Sequence, residues 1–459
     1  MASLPSRALT CHSRAVCSTV VLPHVAYSTL SQPRFLYRPL EDVERLEYYQ
    51  PGGYHPVDIG DRFHGRYRIV HKLGHGTFST IWLARDERLS KYVAIKVCTA
   101  DASRREIGIL SHLNDPAHGK AGRREEALTP TILDRFDVQG PNGTHLCCAT
   151  APARCSLADA KEASICRLFQ LDVARSLAAQ LALAVAHIHE RGVVHGDLHL
   201  GNILLQLPAG LDSLSAEQLY EKYGAPEPEP VVRRDGNPLP PGVPSHGVPP
   251  VWLGDRCERI RLCDAKLVLA DFGVAFRPSS EQRYKSHTPL ELRPPEARFE
   301  PSTPLSFPSD IWSLGCTIWS LLAHRSLFDV LLATEDDVTA QQIDVLGPLP
   351  DEWWDKWEAR SKYFAENATP VEGRCVWSWE RRFEQWIQEP RRDKGMATLD
   401  EKEREAFAAM VRWMLQFRPG DRPSAKEVLQ TEWMRTWALP EVVVKEVPPR
   451  LISETAAYK

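Results

Sequence analysis

The 459-residue sequence lacks several features that would assign it to other classes of protein. Its 11 cysteines include no C-x₂-C pair of the kind that holds structural zinc, and we interpret them as reduced intracellular thiols. The formal charge of -4 provides no basic field that would attract a nucleic acid. The most apolar helical stretch, residues 177–188, is shorter than the roughly 20 residues that span a bilayer. We therefore expect a globular protein without direct contact to nucleic acid or membrane.

Acidic residues are missing from residues 1–40, whereas four arginines occur there: Arg7, Arg14, Arg34 and Arg38. That composition is typical of a mitochondrial transit peptide. Four prolines interrupt any long helix in this stretch, so we favour a disordered tail. Residues 1–60 are assigned to an N-terminal extension. The expected location is the cytoplasm or nucleus, with mitochondrial targeting left open.

A loop at residues 193–205, VVHGDLHLGNILL, places a carboxylate and an amide five residues apart between two apolar runs. Phosphoryl transfer needs a carboxylate that accepts the proton of the attacking hydroxyl, and an oxygen ligand that holds Mg²⁺ near the phosphates. Asp197 and Asn202 provide both groups. The alternative is an ordinary turn that uses Gly196, Asp197, Gly201 and Asn202 for their backbone preferences.

The stretch KLGHGTFSTIWLA predicts a strand, a glycine hairpin and a second strand, whose backbone N–H groups close over phosphates. The candidate nucleotide-binding residues here are Leu73, Gly74, His75, Gly76, Thr77, Phe78, Ser79, Thr80 and Ile81. Lys96 ends the apolar strand Val93-Ala94-Ile95-Lys96, where an unpaired ammonium would be costly. Glu106 on the following helix is its predicted partner, and a solvated helix-face glutamate is the alternative.

A strand at residues 266–270 leads into Asp271-Phe272-Gly273. An acidic residue at a strand end, followed by an aromatic residue and a glycine, is the arrangement that places a Mg²⁺ ligand towards the phosphates. Together with Asp197 and Asn202, Asp271 completes a set of two carboxylates and one amide.

These motifs resemble those of protein kinases. The loop at 193–205 is similar to H-R-D-L-x-x-x-N, with Gly196 in place of the arginine and His199 in place of the usual lysine. Lys96 matches the lysine of the V-A-I-K strand, and Ser79 stands where the third glycine of the kinase loop is usual. GHGTFSTIWLA and LDRFDVQGPNGTHLC resemble the equivalent segments of the SR-protein kinases and their fungal relatives. The resemblance covers residues 67–437.

The resemblance implies an α+β, two-lobed protein kinase fold. The small β-rich lobe would occupy residues 67–150 and the mostly helical lobe residues 151–437, followed by a tail at 438–459. A spacer at 207–258 interrupts the helical lobe. We expect it to be solvated and non-helical, because 9 of the 26 residues in 225–250 are proline.

The resemblance also implies the activity, which is transfer of the ATP γ-phosphate to a serine or threonine of a protein, with Arg/Ser-rich proteins as candidate substrates. Asp197 would be the catalytic base, Lys96 and Glu106 would fix the phosphates of ATP, and Asn202 and Asp271 would hold Mg²⁺. Asp310 is expected to fasten the catalytic loop, and Glu296 and Arg422 to form a buried ion pair. A monomer is expected.

Two other functions stay open at this point. HGDLHxxN also resembles the catalytic loop of small-molecule phosphotransferases of the aminoglycoside-kinase type, although GHGTFST, Pro294-Pro295-Glu296 and Arg422 count against them. A pseudokinase acting as a scaffold or binding module is favoured by His199 and Ser79. Retention of Lys96, Asp197, Asn202 and Asp271 favours an active enzyme.

Two sequence features predict regulation and substrate choice. Gly196 lacks the side chain with which many kinases hold a phosphorylated activation loop, so activity should not require phosphorylation of that loop. The candidate phosphorylation sites are Ser279, Ser280, Ser286 and Thr288. Residues 335–358 contain eight acidic residues and one lysine, which predicts either a solvated helix face or a docking surface for arginine-rich segments.

Overall fold

The computed structural model describes residues 35–115, 128–207, 210–328 and 333–443. An antiparallel six-stranded sheet in the order β1-β2-β3-β4-β6-β5 forms the small lobe. Its strands are β1 (Arg62–Phe63), β2 (Tyr67–Gly76), β3 (Ser79–Asp86), β4 (Lys91–Cys98), β5 (Asp134–Gly140) and β6 (Gly143–Thr150). One helix, α1 (Arg105–Leu113), lies between β4 and β5 in the chain.

Both faces of this sheet are buried. Because successive side chains of a strand point to opposite faces, Ile69 and Trp82 pack in one cluster while Val70 and Leu83 pack in another. The pairing of β2 with β3 shifts register between Ile69 and His71 and again between Lys72 and Gly74. These bulges leave Val70 and Leu73 opposite no residue of β3, and they bend the strand that enters the glycine hairpin.

The large lobe is mostly helical. Its helices are α2 (Leu157–Glu162), α3 (Leu171–Glu190), α5 (Glu296–Phe299), α6 (Phe307–Leu322), α7 (Glu335–Leu346), α8 (Asp351–Lys356), α9 (Trp379–Phe383), α10 (Glu389–Asp393), α11 (Glu401–Met414), α12 (Ala425–Gln430) and α13 (Leu439–Val443), with α4 (Ala216–Tyr223) in the insert. By length and composition α3 is apolar enough to cross a membrane, but 83% of its apolar window is buried inside the protein. It is a core helix of the large lobe.

Tryptophans fill much of this core. Trp312 and Trp319 of α6 and Trp433 are fully buried. Trp353 and Trp357 are buried in the same core, at 0% and 1% exposed.

A small three-stranded sheet in the order β11-β8-β7 brings the site motifs together. It comprises β7 (Ala153–Ser156), β8 (Ile203–Gln206) and β11 (Leu267–Leu269). Ile203, directly after Asn202, pairs with Leu269, and the Ala270 N–H donates to the Asn202 carbonyl at 2.8 Å. Asp271 therefore follows its strand at the level of Asn202.

The insert differs from the prediction, which is wrong in treating it as unpacked. Ser215 starts α4 with a capping box to Gln218, and a short hairpin of β9 (Glu229–Pro230) and β10 (His246–Gly247) follows. Leu219 of α4 is fully buried against the sheet face that carries Val70 and Leu83. The prolines mark bends in this segment, but its apolar residues pack against the sheet of the small lobe.

The assignment of a disordered extension to residues 1–60 is likewise wrong for its second half. Tyr37, Leu46, Tyr49 and Tyr54 are each 5% exposed or less and pack together with Val231 and Val243 of the insert. Residues 1–34, on which the question of mitochondrial targeting depends, lie outside the described residues, as do residues 444–459 of the predicted tail.

Candidate active site

The catalytic loop is held by Asp310, which stands in the first turn of α6 and is 1% exposed. Its carboxylate accepts the N–H groups of His195 at 2.7 Å and of Gly196 at 2.9 Å. His189 Nε2 lies 3.0 Å from the same carboxylate. Burial alone would raise the pKa of Asp310, yet the contact with His189 lowers it overall, so the carboxylate stays charged. The prediction that Asp310 fastens this loop is confirmed.

Asp197 and Asn202 face each other across the loop. The Asn202 side-chain amide donates to the Asp197 carbonyl at 2.9 Å and to Asp197 Oδ2 at 3.2 Å. Within the described part of the chain, the other oxygen, Asp197 Oδ1, is buried and has no hydrogen-bond partner. Oδ1 is therefore closed to solvent in this conformation, while the Asp197 side chain as a whole is 20% exposed.

His199 stands beside this pair. Its Nδ1 accepts the Gly201 N–H at 3.1 Å, and its Nε2 lies 3.6 Å from Asp197 Oδ2. In the neutral ring the proton then belongs on Nε2, since Nδ1 is the acceptor. His199 therefore offers a donor to the region in front of Asp197.

Lys96 lies between two carboxylates. Its Nζ is 2.5 Å from Glu106 of α1 and 4.0 Å from Asp271. Burial would lower the pKa of Lys96, but Glu106 and Asp271 raise it overall, so the ammonium is retained. The pairing of Lys96 with Ile81 across β4 and β3 places the lysine below the glycine hairpin.

Asp271 adopts a left-handed backbone conformation with φ of 60°, and its side chain is 55% exposed. Phe272, by contrast, is fully buried and contacts the ring of His195 edge-on at 5.0 Å. The aromatic residue thus points into the core while the carboxylate is left facing outward beside Lys96.

The glycine hairpin closes between Gly76 and Ser79, which pair across β2 and β3 with Thr77 and Phe78 at the tip. Phe78 is 67% exposed, as expected of a hairpin tip. Ser79 is 5% exposed and already belongs to β3, where it also pairs with Cys98. Its extended position needs no glycine, which explains why serine replaces the third glycine here.

The donor atoms of this site fit a nucleotide that carries Mg²⁺. Asp271 and Asn202 offer oxygen ligands, which Mg²⁺ prefers, and one or two protein ligands suffice when phosphates supply the rest. Among the described residues no group of three or more His, Cys, Asp or Glu side chains could hold a metal alone.

The segment between Asp271 and Glu296 is anchored at two points. Glu296 forms a buried pair with Arg422, whose two terminal nitrogens lie 2.8 and 2.6 Å from the carboxylate oxygens, as predicted. The second anchor was missed by the sequence analysis. Glu281 accepts Arg105 of α1 and Arg283 of its own segment, each at 2.5 Å.

The first part of the acidic region, residues 335–344, is less open than a docking surface requires. Arg374 pairs with Asp344 at 2.7 Å, leaving the Asp344 side chain 3% exposed, and Arg298 pairs with Asp336 at 2.5 Å. Asp337 caps α7 through Thr334. Asp336, Asp337 and Asp344 are therefore poor docking positions for an arginine-rich segment, because they neutralise the chain's own arginines or cap its helix.

Fold and site together define a phosphotransferase that uses a nucleotide. The family model of the protein kinase domain matches residues 67–211 and 260–434, more than two thirds of the chain. The gap between the two matched ranges, residues 212–259, nearly coincides with the insert.

Several curated relatives are protein kinases as well. A serine/threonine protein kinase of Aspergillus fumigatus is 27% identical over 399 residues, 86% of this chain and 90% of that protein. The serine/threonine-protein kinase SRPK of Physarum polycephalum is 25% identical over 410 residues, 85% of this chain and 91% of that protein. SRSF protein kinase 3 of Homo sapiens is 33% identical over 198 residues, 41% of this chain and 34% of that protein.

The chain belongs to the protein kinase family. It is a serine/threonine protein kinase, and its relatives include SR-protein kinases. The resemblance stated from its motifs is confirmed, and so is the two-lobed α+β fold. Members of this family use ATP and Mg²⁺ and act on protein substrates.

Proposed function

We propose that this kinase phosphorylates serines in Arg/Ser-rich proteins, with the site residues acting as the sequence predicts. Asp197 is the catalytic base, Lys96 fixes the phosphates of ATP and is oriented by Glu106, and Asn202 and Asp271 hold Mg²⁺. The observation that carries the proposed chemistry is the pairing of Asp197 with Asn202, whose side-chain amide donates to the Asp197 carbonyl at 2.9 Å and to Oδ2 at 3.2 Å.

Each residue has a separate task in the transfer. Asp197 accepts the hydrogen of the substrate hydroxyl at its carboxylate, while Asn202 donates to Oδ2 at 3.2 Å and fixes the orientation of the carboxylate. Lys96 offers its ammonium to the phosphates from between Glu106 and Asp271. Bound Mg²⁺ would neutralise charge on the transferring phosphoryl group. The glycine hairpin covers the phosphates and excludes water.

The substrate class is supported by the relatives, since the printed name of one human relative is SRSF protein kinase 3. It is also supported by charge. Carboxylates of residues 335–358 already bind guanidinium groups of this chain, such as Arg293 on Glu335 at 2.9 Å. Asp351, Asp355 and Glu358 around α8 remain exposed, and we propose them as docking positions for arginines of the substrate.

The chemistry is tested with the purified full chain, radiolabelled ATP and an Arg-Ser repeat peptide. Asp197→Asn should reduce kcat by several orders of magnitude, because the amide cannot take the proton, and should leave ATP binding in place. An equally active Asp197→Asn variant would refute the assigned base. An inactive wild type that still binds ATP would favour the scaffold function instead.

The docking surface is tested with the triple variant Asp351→Asn, Asp355→Asn, Glu358→Gln. We expect a higher KM for the repeat peptide and an unchanged KM for a short peptide without flanking arginines. The difference in KM between wild type and variant should shrink with added salt, since exposed charges are screened over about 8 Å at physiological ionic strength. A matched control removes three other exposed carboxylates: Asp393→Asn, Glu401→Gln and Glu405→Gln. If both triple variants behave alike, the exposed carboxylates around α8 do not recognise arginine.

A further inference from the structure

Two segments that are more than 170 residues apart in the chain fold together above the small lobe. We call them the extension–insert unit and define it as residues 35–58 with residues 229–251. Tyr37 forms an antiparallel bridge with Arg233, and the Arg38 N–H donates to the Val232 carbonyl at 2.9 Å. The Asn142 side chain, from the turn between β5 and β6, donates to the carbonyls of both segments, Tyr54 and Gly242, at 2.7 Å each.

This unit reaches the nucleotide site through one hydroxyl. Tyr54 Oη lies 2.7 Å from the Gly76 carbonyl and 3.1 Å from the Thr77 carbonyl, at the tip of the glycine hairpin. The ring of Tyr54 is 3% exposed and packs against Tyr49 at 5.4 Å. Burial beside Glu44 raises the pKa of Tyr54 to about 12, so the hydroxyl keeps its proton at every assay pH and remains a donor.

The strand that leads into the hairpin is held by the same unit and by α4. The Val251 N–H donates to the Lys72 carbonyl at 2.8 Å, and the Lys72 ammonium forms a buried ion pair with Glu44. Tyr220 of α4 donates to the Val70 carbonyl at 2.8 Å, at the bulge where β3 offers no partner residue. β2 is therefore fixed from outside at both of its irregular points.

The extension also contacts the segment before α1. The carbonyls of Gly52 and Gly53 accept the N–H groups of Asp101 and Ala100 at 2.9 and 3.0 Å. Three residues of the extension, 52–54, thus touch both the hairpin above the phosphates and the connection to the helix that carries Glu106.

We propose that Tyr54 is a positioning residue for ATP, and that the extension–insert unit sets the height of the glycine hairpin over the nucleotide through its hydroxyl. Gly76 and Thr77 are exposed, so without this donor their carbonyls would be solvated and the hairpin would spend more time lifted. The unit itself touches no reacting atom. The inference rests on the role proposed above for the hairpin.

The test is Tyr54→Phe in the full chain, which keeps the packed ring and removes only the oxygen. Loss of one hydrogen bond predicts an increase in KM for ATP of about fivefold. The kcat at saturating ATP, the KM for the peptide and the thermal midpoint should stay close to wild type. Tyr48→Phe is the matched control. It removes the hydroxyl of a neighbouring tyrosine that is 41% exposed.

Hydrogen exchange of backbone amides provides an independent measurement on the same proteins. Tyr54→Phe should speed exchange in residues 74–80 and leave β5 and β6 unchanged, with the difference diminished by saturating ATP. Unchanged KM for ATP together with unchanged exchange would overturn the proposal. If both KM values rise and the thermal midpoint falls together, the proposal is overturned too, because that pattern indicates a structural role. An active Asp197→Asn enzyme would show that the proposed catalytic function is wrong. That result would not affect the comparison of Tyr54→Phe with wild type.

Discussion

Glu281 joins two arginines from different parts of the fold, and replacing it should show what that connection contributes to activity. Its carboxylate joins Arg105, the first residue of α1, to Arg283 of the segment after Asp271, each at 2.5 Å. Arg105 precedes Glu106, the partner of Lys96. A fixed negative charge at Glu281 therefore connects the segment to the helix whose position completes the nucleotide site.

The expected effect of Glu281→Gln follows from the exposure of the three side chains. Glu281 is 34% exposed, Arg105 32% and Arg283 22%, so each ion pair is partly screened and contributes up to about 1 kcal/mol. Losing about 1 to 2 kcal/mol changes the ratio of docked to undocked α1 by about 5- to 30-fold. We expect kcat to fall within that range while the protein stays folded.

The assay compares steady-state kinetics of the phosphatase-treated wild type, Glu281→Gln and the control Glu291→Gln, which removes a carboxylate from the same segment. The charge swap Arg105→Glu with Glu281→Arg should recover part of the activity that either single change loses. Wild type silenced by phosphatase would refute the argument, and so would a fully active Glu281→Gln. Thr288, one of the candidate phosphorylation sites, is only 3% exposed, which agrees with a loop that is not switched there.

Acidity should not release this anchor in the physiological range. Partial burial would raise the pKa of Glu281, but the hydrogen bonds from Arg105 and Arg283 lower it overall. A carboxyl whose folded pKa is depressed contributes its full stabilisation above its unfolded pKa of about 4.3 and loses it as the pH falls through the folded value. The contribution of Glu281 to kcat should therefore be constant between pH 6 and 8.

Three further predictions concern single residues. Lys96→Met should abolish phosphotransfer and keep the urea midpoint, because no cavity opens; an active variant would contradict the assignment. Arg422→Met should cost about 3–5 kcal/mol in urea unfolding, since Glu296 is left buried without its partner, and a loss below 1 kcal/mol would contradict that reasoning. Burial lowers the pKa of His71 to about 4. The free energy of unfolding should therefore be at its full value above pH about 6.5 and should decrease towards pH 4 by up to about 1.4 kcal/mol per pH unit. His71→Phe should flatten that slope.

The parts of the site that lie close together in the sequence could be predicted from it. Asp197 and Asn202 are five residues apart, and their contact at 2.9 to 3.2 Å is a property of one short loop. Lys96 and Glu106 are separated by ten residues, and a strand followed by a helix brings them together. In both cases the hydrophobic pattern fixes the elements, and the elements leave few alternatives for the polar residues between them.

The contacts between distant segments could not be predicted. The bridge between Tyr37 and Arg233 joins two irregular segments that have no periodic pattern. The proline-rich composition of the insert pointed instead to a solvated spacer. One local signal was available, since Ser215 and Gln218 form a capping box that predicts the start of α4. Glu281 and its two arginines gave no such signal, because single charges in a loop have no spacing rule.

Gly196, Ser79 and His199 depart from the usual kinase pattern, and the structure accommodates each of them. Gly196 has a φ of 77°, a left-handed conformation in which glycine is unstrained, and Glu281 joins the segment after Asp271 to α1 through Arg105. Ser79 is a strand residue and needs no special backbone freedom. His199 keeps a donor 3.6 Å from Asp197. These substitutions therefore favour an active enzyme over a scaffold, because each leaves the geometry around Asp197 and Lys96 intact.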